Sequence, residues 1–145
     1  QEITNTMAYF KVKASFNSEN EKGKIEKVPR EYLVDGILYG EVEARIVQEL
    51  TPFVRGGDGM FQVITRYPLK ETVFDGGDKY FRIQLIYTTI DEKTEKEKET
   101  KEFALVQADD IASAQLALLE HMKGSICDYK IGKVEATKIV DVFFY

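Results

Sequence analysis

Apolar residues recur along this chain with two periods, and the switch between them marks its elements. Over residues 8–16 the order alternates: Phe10, Val12, Ala14 and Phe16 share one face, Tyr9, Lys11, Lys13 and Ser15 the other. That is the pattern of a half-buried strand. A polar turn over 17–24, with Gly23 suited to a positive φ, leads into a return strand from about Ile25 to Val34. Pro29 within it predicts an edge position or a bulge. After Asp35-Gly36 the period lengthens, and Tyr39, Val42, Ile46, Val47 and Leu50 predict a helix over about 38–50, closed by Pro52.

Arg55–Gly59 reads as a loop, and 61–74 as a long strand interrupted at Pro68. Asp75-Gly76-Gly77-Asp78 is a turn, after which period two returns over 79–90. There Phe81, Ile83, Leu85 and Tyr87 point inward and Tyr80, Arg82 and Gln84 outward. Residues 91–102 form a charged hairpin tip, and 103–107 the returning strand. Asp109 or Asp110 caps a second helix that runs to about Met122 and stops at Gly124. Residues 129–145 read as a last long strand, with a bulge at Gly132.

The second half repeats the plan of the first. Ile111, Ala114, Leu118, Leu119 and Met122 follow Tyr39, Val42, Ile46, Val47 and Leu50 at one constant offset, and Tyr80-Phe81-Arg82-Ile83 follows Tyr9-Phe10-Lys11-Val12. Asp141-Val142-Phe143 is matched to Thr72-Val73-Phe74. A repeat of this kind governs the whole fold. It predicts an α+β domain over 8–145, made of two ββαβ repeats (8–75 and 79–145). Their two helices would pack on a shared antiparallel sheet about a pseudo-two-fold axis. Gln1 is not a translation start, so 1–7 is expected to be disordered or tag-derived, with Met7 a candidate initiator.

Composition narrows the setting. No apolar run reaches the roughly 20 residues of a membrane helix, and the N-terminus lacks the basic and apolar segments of a secretion signal. A single cysteine, Cys127, excludes an internal disulfide and suits a reducing cytoplasm. The net charge of −5 argues against coating duplex DNA by charge alone, although a local basic face remains compatible with it.

Catalytic candidates are weak. His121 is the sole histidine and aligns with Glu49, a solvent-facing position with no activating partner. Cys127 is expected to be buried and structural. Arg55–Gly59 runs from helix to strand, the reverse of a phosphate-binding loop, and Asp75 with Asp78 is too sparse for calcium. No enzyme activity, metal or cofactor is expected. The outward strand face holds more promise. Tyr9, Lys11 and Lys13 match Tyr80 and Arg82, with Arg66, Tyr67, Lys130 and Lys133 extending the surface. Rings that stack bases, interleaved with cations that follow phosphates, hold single strands without sequence preference. The equally weighted alternative is an ordinary wet strand face. Acidic residues concentrate in 91–102, the helix surfaces and Asp75–Asp78, which is expected to leave the strand face positive.

The stretch YLVDGILYGEVEARIVQELTPFV, the paired YFKVK and YFRIQL strands, Met122-Lys123-Gly124 and the closing ATKIVDVFFY resemble a Bacteroidetes domain family of unknown function that is shared with crAss-like phages. The resemblance spans most of 8–145. Family members usually carry Trp-Phe at the positions of Tyr9-Phe10 and Tyr80-Phe81, which keeps a ring in place. The resemblance implies a phage replication module, a single-stranded DNA-binding role in the host cytoplasm and a fold like the Whirly and transcriptional-coactivator single-strand binders. It brings no catalytic residues. A homo-oligomer, and a replication-protein contact through Phe143, Phe144 and Tyr145, complete the expectations. The rival is a protein-interaction or phage assembly module that binds no nucleic acid.

Overall fold

The computed structural model describes residues 8–57 and 59–144; the expectations for 1–7 and for Tyr145 lie outside the described residues. The protein is α+β, with eight strands in two mostly antiparallel sheets and two helices among those residues. The chain divides into two compact units. One holds the residues through Tyr67 together with those from Lys138 on; the other is Pro68–Thr137.

In the first unit β1 (Ala8–Glu19) and β2 (Ile25–Gly36) form a long antiparallel hairpin. Its turn is held by the Asn20 side chain, which accepts from the backbone N–H of Lys22 and of Lys24 at 2.9 Å, and by Gly23 at φ 76. α1 (Tyr39–Leu50) follows. Glu41 in its first turn reaches back to accept from the Ile37 N–H at 3.0 Å, one residue ahead of the N-cap Leu38. Val42, Ile46 and Leu50 form its buried stripe, against Phe10, Val12, Ala14 and Phe16 of β1 and Val28, Tyr32 and Val34 of β2. Each fully buried aliphatic chain contributes roughly 1.5–3 kcal/mol. β3 (Phe61–Arg66) pairs antiparallel with β1, and β8 (Ile139–Phe143) pairs parallel with β2, giving the order β3-β1-β2-β8.

The second unit has the same local logic. β5 (Lys79–Ile90) and β6 (Glu97–Ala108) form the hairpin, and α2 (Ile111–His121) buries Ala114, Leu118 and Met122 on Phe81, Ile83, Leu85, Ala104 and Val106. Asp110 caps α2 by accepting from the Ser113 N–H at 2.7 Å. Gly77 sits where a Cβ would stand 2.6 Å from the Ala108 backbone, so the turn before β5 admits no side chain there. β7 (Tyr129–Ala136) pairs antiparallel with β5, and β4 (Glu71–Val73) pairs parallel with β6, giving β4-β6-β5-β7. A register shift between Ile83 and Leu85 marks the bulge expected at Gly132.

Several expectations need correction. The strands form two sheets instead of one shared sheet, and each sheet includes a parallel pair. Neither 61–74 nor 129–145 is one strand. Each breaks, after Arg66 and after Ala136, and the chain passes from one unit to the other at Tyr67/Pro68 and at Thr137/Lys138. The units therefore do not coincide with 8–75 and 79–145, because β4 completes the second sheet and β8 the first. The match of the two short strands also moves by one residue: Phe143 lies opposite Val34 and Val73 opposite Val106.

Candidate nucleic-acid interface

Register builds the candidate surface. Phe10 stands between Val34 and Arg66, and Val12 between Tyr32 and Ile64, on the face that α1 covers. The alternate positions of β1 must then face away from α1. Tyr9, Lys11, Lys13 and Ser15 thus share the face away from α1 with Asp35, Leu33, Glu31 and Pro29 of β2 and, from Lys11 on, with Thr65, Val63 and Phe61 of β3; this face is buried at Leu33 and open toward Lys13, Pro29, Val63 and Phe61. Tyr67 joins them at the end of β3, its N–H donating to the Tyr9 carbonyl at 2.9 Å. The Lys11 ammonium lies 5.8 Å from the centre of the Tyr67 ring and 3.6 Å from the Glu31 carboxylate. Lys13 is exposed, and Tyr9 is half-buried with the Phe144 ring edge-on at 5.9 Å.

β3 is laid in against its own hydrophobic pattern. Its more apolar row, Phe61, Val63, Thr65 and Tyr67, faces away from the helix, while Gln62, Ile64 and Arg66 face toward it. Phe61 is 62% exposed and Val63 60%. Pairing of Ile64 with Val12 fixes this choice, since a slip of one residue would invert the entire strand. The exposed ring and the exposed valine stand two residues apart on the same row. Above Phe61, at 5.4 Å from its centre, stands the Lys27 ammonium. Arg66, expected outside, belongs instead to the helix-side row, its guanidinium 5.6 Å from the Phe10 ring.

The second unit uses the corresponding row differently. Tyr80 lies on the row away from α2, opposite Gln107, but is 5% exposed, with Phe74 edge-on at 5.9 Å. A buried ring offers no face to a base, so Tyr80 is not available as the stacking platform expected of it. The Arg82 guanidinium stacks 3.6 Å above Phe103 and pairs with Glu135 at 3.7 Å. Lys130 pairs with Glu99 at 3.6 Å, and Lys133 is exposed beside the register shift. The expected charge segregation is therefore incomplete. Carboxylates stand among the outward cations in this unit, as Glu31 does in the first.

His121, expected to face solvent without a partner, is exposed but has its Nε2 2.9 Å from Glu71 Oε2, tying α2 to β4. Cys127, expected to be buried, is exposed in the loop after α2. Asp109 accepts from the Asp78 N–H at 2.9 Å, which is turn chemistry. Among the described residues no three His, Cys, Asp or Glu gather to hold a metal, and no helix is long and apolar enough to cross a membrane. Burial pushes the Tyr32 hydroxyl above its ordinary pKa, with Arg30 opposing and Asp141 adding to the shift. Tyr87 is raised as well, by burial first and then by Glu71 and other neighbours.

Residues 8–145 match the family model of a domain of unknown function, DUF4494. The chain belongs to the DUF4494 family. No curated protein and no solved structure shows significant similarity to it. What this DUF4494 chain brings together on one face of its first unit is Tyr9, Lys11, Lys13 and Tyr67; Tyr80, Arg82, Lys130 and Lys133 lie in the other unit. Two further residues, Lys27 and Phe61, complete the first-unit face and were missed by sequence reasoning. The signal for them would have been the register of β3 against β1, which the alternation of β3 taken alone inverts.

Proposed function

We propose that this chain is a non-enzymatic single-stranded DNA-binding protein of a phage replication module, working in the host cytoplasm. In this reading its two units are copies of one duplicated ββαβ module in a Whirly-like arrangement. The observation that carries the proposal is the open face of the first unit, where exposed Phe61 and Val63 lie beside Lys27, Lys13 and Lys11. Bases present apolar π-faces to Phe61 and Tyr67 while the lysines track the phosphates between them, a sequence-tolerant mode. Tyr9 supports the edge of this face. In the second unit, taken by itself, the Arg82–Phe103 stack and exposed Lys133 offer a weaker form of the same chemistry.

The test is anisotropy of a dye-labelled dT oligomer. Binding should weaken with salt at a log–log slope of roughly −0.7 per phosphate contact, and Phe61→Ala should reduce affinity by about 1–3 kcal/mol. Absence of binding at low salt rejects the proposal.

A second reading, an assembly or interaction module, has one observation in its favour: β3 and β8 are the outer strands of the first sheet, and outer strands can pair with another chain. The replication-protein contact proposed for the C-terminus would then involve rings that already meet the first sheet, Phe143 on Tyr32 at 5.3 Å and Phe144 on Tyr9 at 5.9 Å. Self-association with no oligonucleotide binding would favour this second reading.

A further inference from the structure

Beside Pro29 the first unit has a depression of about 270 Å³ lined by Lys13, Pro29, Arg30, Glu31 and Lys138. Three strands meet there. Lys13 comes from β1, Arg30 and Glu31 from β2, and Lys138 from the residue just before β8. The site exists because β8 pairs with β2 only from Glu31 onward, so the β2 edge at Pro29 has no strand beside it. Proline has no N–H to leave unsatisfied at such an edge. The Arg30 guanidinium folds back to donate to the Pro29 carbonyl at 3.0 Å. The one carboxylate of the lining, Glu31, is already engaged by Lys11 at 3.6 Å. Exposed Lys13 and Lys138 therefore flank a depression whose acid is already paired, and Arg30 reaches its edge from the α1-side row opposite Ala14, in a chain of net charge −5.

We infer that this depression takes one internal backbone phosphate of the bound single strand. The inference rests on the DNA-binding reading and adds to it the subsite that fixes the strand's path. Lys13 lies opposite Val63 on β1–β3, next to the row that ends at Phe61. A strand whose base stacks on Phe61 thus reaches the cluster across the width of β1. Clustered cations hold anions where desolvation and mutual repulsion favour a counter-charge, and a guanidinium supplies directional donors to phosphate oxygens.

The experiment compares wild type with Lys13→Gln/Arg30→Gln/Lys138→Gln and with a control, Lys93→Gln/Lys96→Gln/Lys98→Gln, which neutralises the exposed hairpin tip of the other unit. Binding is measured to dT oligomers with and without a 5′ phosphate, and thermal unfolding verifies that all three proteins fold. The expected result is a loss of at least about tenfold in affinity at low salt for the cluster variant, equal for both oligomers, against little change in the control. Equal losses in the two variants would show charge in general, and a loss confined to the 5′-phosphorylated oligomer would show a terminal-phosphate site; either overturns the inference. If wild type binds dT and the cluster variant binds as well, the subsite alone fails. If wild type binds no dT at all, the DNA-binding reading fails and the subsite with it.

Discussion

Lys27 and Phe61 come from strands on opposite sides of β1, yet the lysine ammonium stands 5.4 Å from the centre of the phenyl ring. Such a pair is worth about 0.5–1 kcal/mol at an exposed site, too little to account for a large ring left in water. The cation and the ring together make a platform, flat and apolar below and positive at its rim. Phe61→Ala should therefore leave the folded protein nearly as stable as before, within about 0.5 kcal/mol, while weakening dT binding by about 1–3 kcal/mol. Denaturation and anisotropy on the same preparation separate the two effects.

Tyr80 should behave in the opposite way. Its ring is buried against Phe74, so Tyr80→Ala is expected to cost about 3–5 kcal/mol of stability, as large aromatic truncations in cores do. Tyr80→Phe should retain most of that stability. Urea unfolding measures both, and a Tyr80→Ala protein of undiminished stability would contradict the packing described.

The chain's return to its first unit has its own consequence. Phe143 stacks on Tyr32 and pairs in register with Val34, so Phe143→Ala should loosen the N-terminal hairpin even though it lies at the other end of the sequence. Amide exchange should rise across β2 with little change in β5 and β6. The reverse pattern would place β8 in the wrong sheet.

The Asp110 cap gives a pH dependence with a definite sign. The Ser113 N–H holds the Asp110 carboxylate below its ordinary pKa. A folded-state pKa depressed in this way gives stability that is present above the unfolded value, near 4, and is lost as pH falls through the lower folded value. Asp110→Asn keeps a capping acceptor but cannot titrate. Its stability should vary less than wild type's between about pH 5 and pH 2, as thermal melts across that range would show.

Much of the fold was legible in the residues. The hairpins and both helices follow from the shift between period two and period 3.6: Val42, Ile46 and Leu50 line one core as Ala114, Leu118 and Met122 line the other, while Tyr39, Val47, Ile111 and Leu119 of the same apolar sets stay exposed. The crossings at Tyr67/Pro68 and Thr137/Lys138 were not legible, because alternation reports that a segment is extended and is silent on which sheet it joins. The site was half legible for a related reason. Tyr9, Lys11 and Lys13 could be assigned a face from β1 alone, since its core row is uniformly apolar. In β3 the core row is Gln62, Ile64 and Arg66, and only pairing with β1 shows that Phe61 is the outward residue. Tyr80 occupies the row that Tyr9 does, but Phe74 of the adjoining segment covers it, a tertiary contact that no local pattern encodes.

The central claim is that the open face of the first unit holds single-stranded DNA. The most direct measurement is a salt titration of dT-oligomer anisotropy for wild type and for Lys13→Gln/Lys27→Gln/Phe61→Ala. The expected result is a wild-type log–log slope steeper than about −2, for three or more phosphate contacts, and a variant with both a shallower slope and at least tenfold weaker binding at low salt. Two superimposable titrations, or no wild-type binding, would contradict it.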